Sequence, residues 1–253
     1  MVLDSNLDHS LTMLPMAWTA SAAIEDSFTE FVKWCDHALS CGLHGQDVRE
    51  VWSDLLDRAD RGEVRDPRDP AKKLTMANLT AQAGGAFYDP DWTQLADMII
   101  SWKGQATPGY GTVNQPNRSI ICDDFAFPVH DYQEYAAVRD VETSAAPNMR
   151  GGYLGHTSFA GCLGWDDHVN NPQRTLNIRQ APKILMLTSV HDPATSYTWA
   201  LNAHRQSRDT TVLMTYDGWG HGVYTRTDCT RGTVDRYLIS QAVPADGTHC
   251  PAG

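Results

Sequence analysis

Two residues stand where hydrolytic chemistry is easiest to build. Asp192 lies just beyond the apolar run Ile184-Leu185-Met186-Leu187, in His191-Asp192-Pro193-Ala194-Thr195. A carboxylate at the carboxyl end of a parallel strand sits where open α/β sheets carry their sites. Thr195 can cap the helix that follows and Pro193 stiffens the turn, so the carboxylate should be held rigidly. Spacing alone leaves a plainer role open, that of a carboxylate capping its own turn. His221 follows the run Thr211 to Tyr216, in Asp217-Gly218-Trp219-Gly220-His221-Gly222. Glycines on both sides let the backbone turn sharply and expose the ring. One strand-helix-strand unit separates the pair, so both should emerge at one sheet edge. There an aspartate can orient an imidazole and stabilise its cation. A lone His-Gly says little; an acid after one strand and a histidine after the next is a specific arrangement for general-base chemistry.

The elements that must hold them follow from hydrophobic periodicity. Residues 184–187 form a short continuous apolar run, as expected of a parallel strand covered on both faces. Thr195 to Gln206 reads as a helix with Trp199, Ala200 and Ala203 on one side. Thr211 to Tyr216 is a second strand, and Cys229 to Ile239 a last helix bearing Val234, Leu238 and Ile239. Strand, helix, strand, helix is the end of an α/β sheet. The first half is helical instead. Ile24, Phe28, Phe31, Val32, Cys35 and Leu39 form one stripe, predicting a helix over 21–39. Val48, Val51, Trp52, Leu55, Leu56 and Ala59 predict a second, ended by Gly62. Arg61 to Lys73, charged and holding Pro67 and Pro70, reads as a surface loop. A third helix should start at Asp89-Pro90 and turn Trp92, Leu95, Ala96 and Ile99 inward. Lys103 to Arg118 is rich in Gly, Pro, Asn and Thr and reads as a long loop. Asp131 with Glu134 resembles a capping box opening a fourth helix through Tyr135, Val138 and Val141. Two strands make no stable sheet alone, so the helical half reads as a cap inserted before the end of a sheet whose other strands lie outside the sequence.

Composition narrows the classes. Lys+Arg number 20 against 31 Asp+Glu, a formal charge of -11, which argues against nucleic-acid binding. An acidic surface could attract a cationic substrate such as a peptide amine, although solubility alone accounts for it. No apolar run reaches membrane-spanning length, and Met1-Val2-Leu3-Asp4-Ser5 lacks the features of a signal peptide. The ten histidines include no His-Glu-x-x-His, and no metal or other cofactor is expected. Six cysteines fall along the chain as Cys35 and Cys41, Cys122 and Cys162, Cys229 and Cys250, with no Cys-x-x-Cys. The even count suits disulfides and an oxidising compartment, while the connectivity, and even a set of reduced thiols, stays open on spacing. Disulfides without an export signal conflict unless the true amino terminus lies upstream.

Asp192-Pro193-x-Thr195 followed by Gly218-x-Gly220-His221-Gly222 resembles the carboxyl-terminal signature of tripeptidyl aminopeptidase-like α/β-hydrolases, secreted serine exopeptidases of actinobacteria related to proline iminopeptidases. The likeness extends over nearly the whole chain. Met1-Val2-Leu3-Asp4 resembles the strand end before the family's cap. Trp34-Cys35 with Cys41, Leu74-Thr75 and Tyr88-x-Pro90-x-Trp92 with Leu95-Ala96 resemble the cap itself. Ile120-Ile121-Cys122-x-Asp124 and Cys162-x-Gly164-Trp165 resemble the return to the sheet, and Cys229 with Cys250 the terminal pair.

The resemblance implies an α/β fold, the carboxyl-terminal part of a hydrolase sheet with a mainly helical cap. Residues 1–8 would end a sheet strand, 9–150 form the cap and 151–253 close the hydrolase domain. Asp192 would be the triad acid and His221 the general base, in an extracellular enzyme that acts on peptides and contacts neither nucleic acid nor membrane. The family's serine sits in a Gly-x-Ser-x-Gly elbow before the cap, and no such pentapeptide occurs here. Gly155-His156-Thr157-Ser158-Phe159-Ala160-Gly161 has the wrong spacing and no preceding strand, which discounts Ser158. The nucleophile and oxyanion hole would therefore come from an amino-terminal half not in this sequence, and the chain alone should be inactive and poorly soluble. Asp123 and Asp124 could bind a substrate amine, with loop carboxylates as the plainer reading. An esterase of the same fold, or a non-catalytic module derived from a hydrolase, are the rival expectations.

Overall fold

A computed structural model describes residues 1–104, 118–152, 154–165 and 168–253. The parallel sheet is built from β1 (Val2–Asp4), β4 (Ile184–His191), β5 (Thr211–Trp219) and β6 (Thr248–Cys250), in the order β1-β4-β5-β6. Leu185, Leu187 and Met214 are buried on one face and Met186 and Leu213 on the other, as strands covered on both faces require. Beside the two strands that periodicity marks, the sheet has β1, in a segment likened to a strand end, and β6, which was not foreseen. Val2 to Asp4 pair with Leu185 to Leu187, and Thr248 to Cys250 with Met214 to Tyr216. Three-residue strands carry too little pattern to be read from periodicity.

Helices α8 (Tyr197–Gln206) and α9 (Asp228–Ser240) follow β4 and β5 as expected. Trp199, Ala200 and Ala203 are buried, as is Val234, but Leu238 and Ile239 are 56% and 84% exposed. Thr195 does not cap α8: Ser196 holds the cap position, and the Thr195 hydroxyl donates to Asp192 instead.

Between β1 and β4 the chain is mainly helical. Helix α1 (Met13–His37) is longer than its stripe predicted and stops before Leu39, which is 88% exposed. Helix α2 (Val48–Asp60) starts on Asp47, whose carboxylate accepts the Arg49 and Glu50 amides, and Gly62 follows its end at φ +71°. The predicted loop from Arg61 to Lys73 contains an antiparallel pair, β2 (Arg65–Asp66) and β3 (Asp69–Lys73). Helix α3 (Met76–Ala86), which the periodicity did not disclose, opens on a capping box between Thr75 and Asn78. Its Ala- and Gly-rich sequence packs closely but draws no strong stripe.

Helix α4 (Trp92–Gly104) begins after Asp91, which accepts the Gln94 amide, two residues later than the Asp89-Pro90 signal suggested. The predicted 103–118 loop lies mostly outside the described residues. Helix α5 (Arg118–Asp124) covers a segment likened to a return to the sheet, α6 (Tyr132–Ala145) opens on Asp131, and α7 (Leu154–Gly161) was unpredicted. In α6 the Glu134 carboxylate reaches the His130 amide, so only half of a capping box forms.

Phe28, Phe31, Trp52, Leu55, Leu56, Leu79, Leu95 and Trp102 form one buried cluster, and Leu185, Leu187, Val212, Met214 and Val234 another under the sheet. Disulfides join Cys35 to Cys41, Cys122 to Cys162 and Cys229 to Cys250, and no cysteine is free.

Candidate active site

The register of the two long strands brings the site together. Ile184 pairs with Thr211 and His191 with Trp219, and the Gly220 amide donates to the His191 carbonyl at 3.1 Å. Asp192 and His221 therefore leave the sheet side by side at its carboxyl edge. His221 Nδ1 lies 3.1 Å from both carboxylate oxygens of Asp192.

The aspartate is fixed before the histidine reaches it. Oδ1 accepts the amides of Ala194 and Thr195, each at 2.8 Å, and Oδ2 accepts the Thr195 hydroxyl at 3.0 Å. Its side chain is fully buried, whereas that of His221 is 31% exposed. A carboxylate held by these donors accepts from imidazole Nδ1–H, which holds the ring in that tautomer. Nε2, on the far side of the ring, is then the basic nitrogen. The arrangement can take a proton from an incoming hydroxyl and stabilise the resulting cation.

The loop after β5 is held from two sides by residues that periodicity did not single out. From the sheet, Asp4 accepts the Val223 amide at 2.9 and 3.0 Å and the Tyr224 amide at 3.0 Å, while Ser5 Oγ accepts the Gly222 amide at 3.1 Å. From the helical side, the Tyr88 carbonyl accepts the His221 amide at 2.9 Å, and the Tyr88 ring meets the imidazole edge-on at 5.1 Å. A cavity of about 660 Å³ beside His221 is lined by Asp4, Tyr88, Asp89, Tyr224 and Arg226 among others.

Other candidates lie elsewhere. Asp124 and Asp123 end α5 and do not line this cavity; their carboxylates accept the side-chain amides of Asn171 and Asn170. Ser158 lies on α7, away from the cavity lining. Neighbouring His191 is bound to the helical half: its Nδ1 lies 2.7 Å from Asp26 of α1 and its ring stacks on Trp219, whose Nε1 donates to Glu30 at 3.2 Å. Burial pulls the His191 imidazole down, but the Asp26 hydrogen bond and the charges of Asp26 and Glu30 outweigh it, so His191 titrates above its ordinary value. Donor atoms of Asp26, Glu30 and His191 lie within 4.8 Å of one another. Sequence spacing gave no hint of this grouping. Its members are already engaged, Glu30 with Lys33 and Trp219 and His191 with Asp26, so it reads as an ion-pair network.

Known proteins resemble this chain in sequence. Carboxylesterase B of Mycobacterium tuberculosis, in two strains, and a protein of Mycobacterium bovis named as a hydrolase are each 22% identical over 273 residues. The match covers 99% of this chain and 51% of each relative, so the chain spans about half the length of the curated relatives it matches. Residues 149–250, which contain β4, β5, Asp192 and His221, match the model of the TAP-like protein family of α/β-hydrolases. The parallel sheet and this match make residues 149–250 similar to the TAP-like domain of α/β-hydrolases.

Proposed function

We propose that this chain supplies the acid and the base of a secreted serine exopeptidase that removes short peptides from free amino termini. Asp192 is the acid and His221 the base; the serine and its oxyanion hole come from residues outside this sequence. The observation that carries the reading is the 3.1 Å contact of His221 Nδ1 with a fully buried carboxylate at the carboxyl edge of a parallel sheet.

In the reaction, His221 Nε2 takes the serine proton as the oxygen attacks the acyl carbon. Asp192 stabilises the imidazolium, which then gives that proton to the leaving amine. Water repeats the sequence in reverse roles and frees the acid product. No cofactor takes part. Within the 253 residues there is no Gly-x-Ser-x-Gly, so the isolated chain has an acid and a base with nothing to activate. Three disulfides favour an extracellular setting, and no helix among the described residues is long and apolar enough to cross a membrane.

A second reading, an esterase of the same fold, is favoured by the names of the tuberculosis relatives. A longer hydrolase joining this chain to its nucleophile segment separates the two. Free-amino tripeptide anilides should be cleaved at least about tenfold faster than their amino-acetylated forms, the factor that about 1.4 kcal/mol of amine recognition supplies. Turnover of short acyl esters with no cleavage of the anilides hands the function to the esterase reading.

A further inference from the structure

The main chain of His221 is bonded to the helical half of the molecule by one side chain as well as by one amide. Arg226, seven residues after the end of β5 and 16% exposed, folds back over the loop. Its Nε donates to the Gly222 carbonyl at 2.8 Å, and its Nη2 to the carbonyls of His221 at 2.9 Å and Tyr88 at 2.6 Å. Its Nη1 lies 2.6 Å from the exposed carboxylate of Asp89. Tyr88 and Asp89 belong to the link between α3 and α4. Both polar groups of the His221 peptide unit are thus satisfied across this clamp, the amide by the Tyr88 carbonyl and the carbonyl by Arg226.

Gly220 provides an independent sign that the clamp is close-fitted. Its φ is +101°, and a Cβ there would stand 2.7 Å from Arg226 Nη2 and 2.8 Å from the Tyr88 carbonyl oxygen. The residue before the histidine has no side chain because the guanidinium and the carbonyl occupy that space.

We infer that Arg226 is a positioning residue that ties the backbone of His221 to the Tyr88-Asp89 link, so that the seat of the helical half sets the hydrogen bond between His221 and Asp192. This rests on the proposed role of His221 as base. A planar guanidinium can serve three carbonyls and a carboxylate at once, which an ammonium cannot. Without it, the His221 carbonyl loses its partner and the helical side keeps only the His221 amide bond to the Tyr88 carbonyl, against Asp4 and Ser5 on the sheet side. The imidazole then has no fixed distance to Asp192.

The tautomer of His221, read by long-range proton–nitrogen correlation on the 253-residue chain with labelled histidine, tests this. His221→Gln assigns the signal. The wild type should show the neutral ring with its proton on Nδ1. Arg226→Ala and Arg226→Lys should both lose that dominance and move the ring toward the Nε2–H form favoured in water. Gly220→Ala, which keeps Arg226 but pushes its guanidinium off these carbonyls, should do the same. If Arg226→Ala does not fold, the lysine and Gly220 variants carry the test. A wild-type ring already protonated on Nε2 overturns the acid-base pair itself. A wild-type Nδ1–H ring that all folded variants keep overturns the positioning role and leaves the pair intact.

Discussion

Removing the Asp192 carboxylate should cost far more as alanine than as asparagine, and the structure says why. Asp192 is 2% exposed, and four donors converge on it: the amides of Ala194 and Thr195, the Thr195 hydroxyl and His221 Nδ1. In Asp192→Ala the hydroxyl can rotate and the part-exposed imidazole can turn to water. The two amides cannot, since Ala194 and Thr195 are 4% and 8% exposed. At about 1–3 kcal/mol for each orphaned buried donor, with the lost charge-assisted bond added, the cost is about 3–5 kcal/mol. Asp192→Asn keeps an oxygen for both amides. It gives up the charge, turns the Thr195 hydroxyl from donor to acceptor at the new amide nitrogen, and forces the imidazole to present Nδ1 as an acceptor, at a cost of about 1–2 kcal/mol. Urea unfolding at neutral pH with the disulfides intact measures both. In a longer hydrolase joining this chain to a nucleophile segment, the stable asparagine variant should still lose about 10⁴ in kcat, because it selects the wrong tautomer. An alanine variant within about 1 kcal/mol of wild type, or an asparagine variant as costly as alanine, would refute the reasoning.

Two further outcomes are expected. His191 holds its proton more tightly folded than unfolded, because Asp26 and Glu30 face it. Its ion pair therefore stabilises fully below the ordinary histidine value of 6.5 and is lost as the pH rises through the raised folded value. The urea midpoint should fall across that window, and Asp26→Asn should flatten the fall; an unchanged profile counts against the pair. The bond between Cys229 and Cys250 spans 21 residues and ties α9 to β6. Replacing both cysteines by serine should cost about 3 kcal/mol through freed chain entropy, whereas a midpoint unchanged from wild type contradicts a structural role.

Sequence reading reached the pair but not what holds it. Asp192 and His221 were legible because each ends an apolar run, and parallel pairing carries neighbouring strand ends to one edge. Asp4 and Tyr88 were not, because their roles are contacts to main-chain groups far along the chain: Asp4 meets Val223 across 219 residues. Arg226 looks in sequence like any surface arginine, and only the fold brings the Tyr88 carbonyl to it across 138 residues. Periodicity also says which side chains share a face, not what covers that face. Leu39, Leu238 and Ile239 fit their stripes and still lie in water, one beyond the end of its helix and two on the outer side of α9. Helix α3 was hidden for the opposite reason, since its Ala-Gly sequence packs without large side chains to mark a stripe. The charged, proline-bearing segment that became β2 and β3 carries turn chemistry and no apolar alternation.

The proposed role of His221 is to serve a serine lying outside these 253 residues. Labelling the natural gene product with a serine-directed phosphonate, and locating the adduct by peptide mass spectrometry, addresses that directly. The adduct should fall on a serine absent from this sequence, and His221→Gln should abolish it. An adduct on Ser158 or any other serine of this chain, or labelling that survives the loss of His221, would contradict the account.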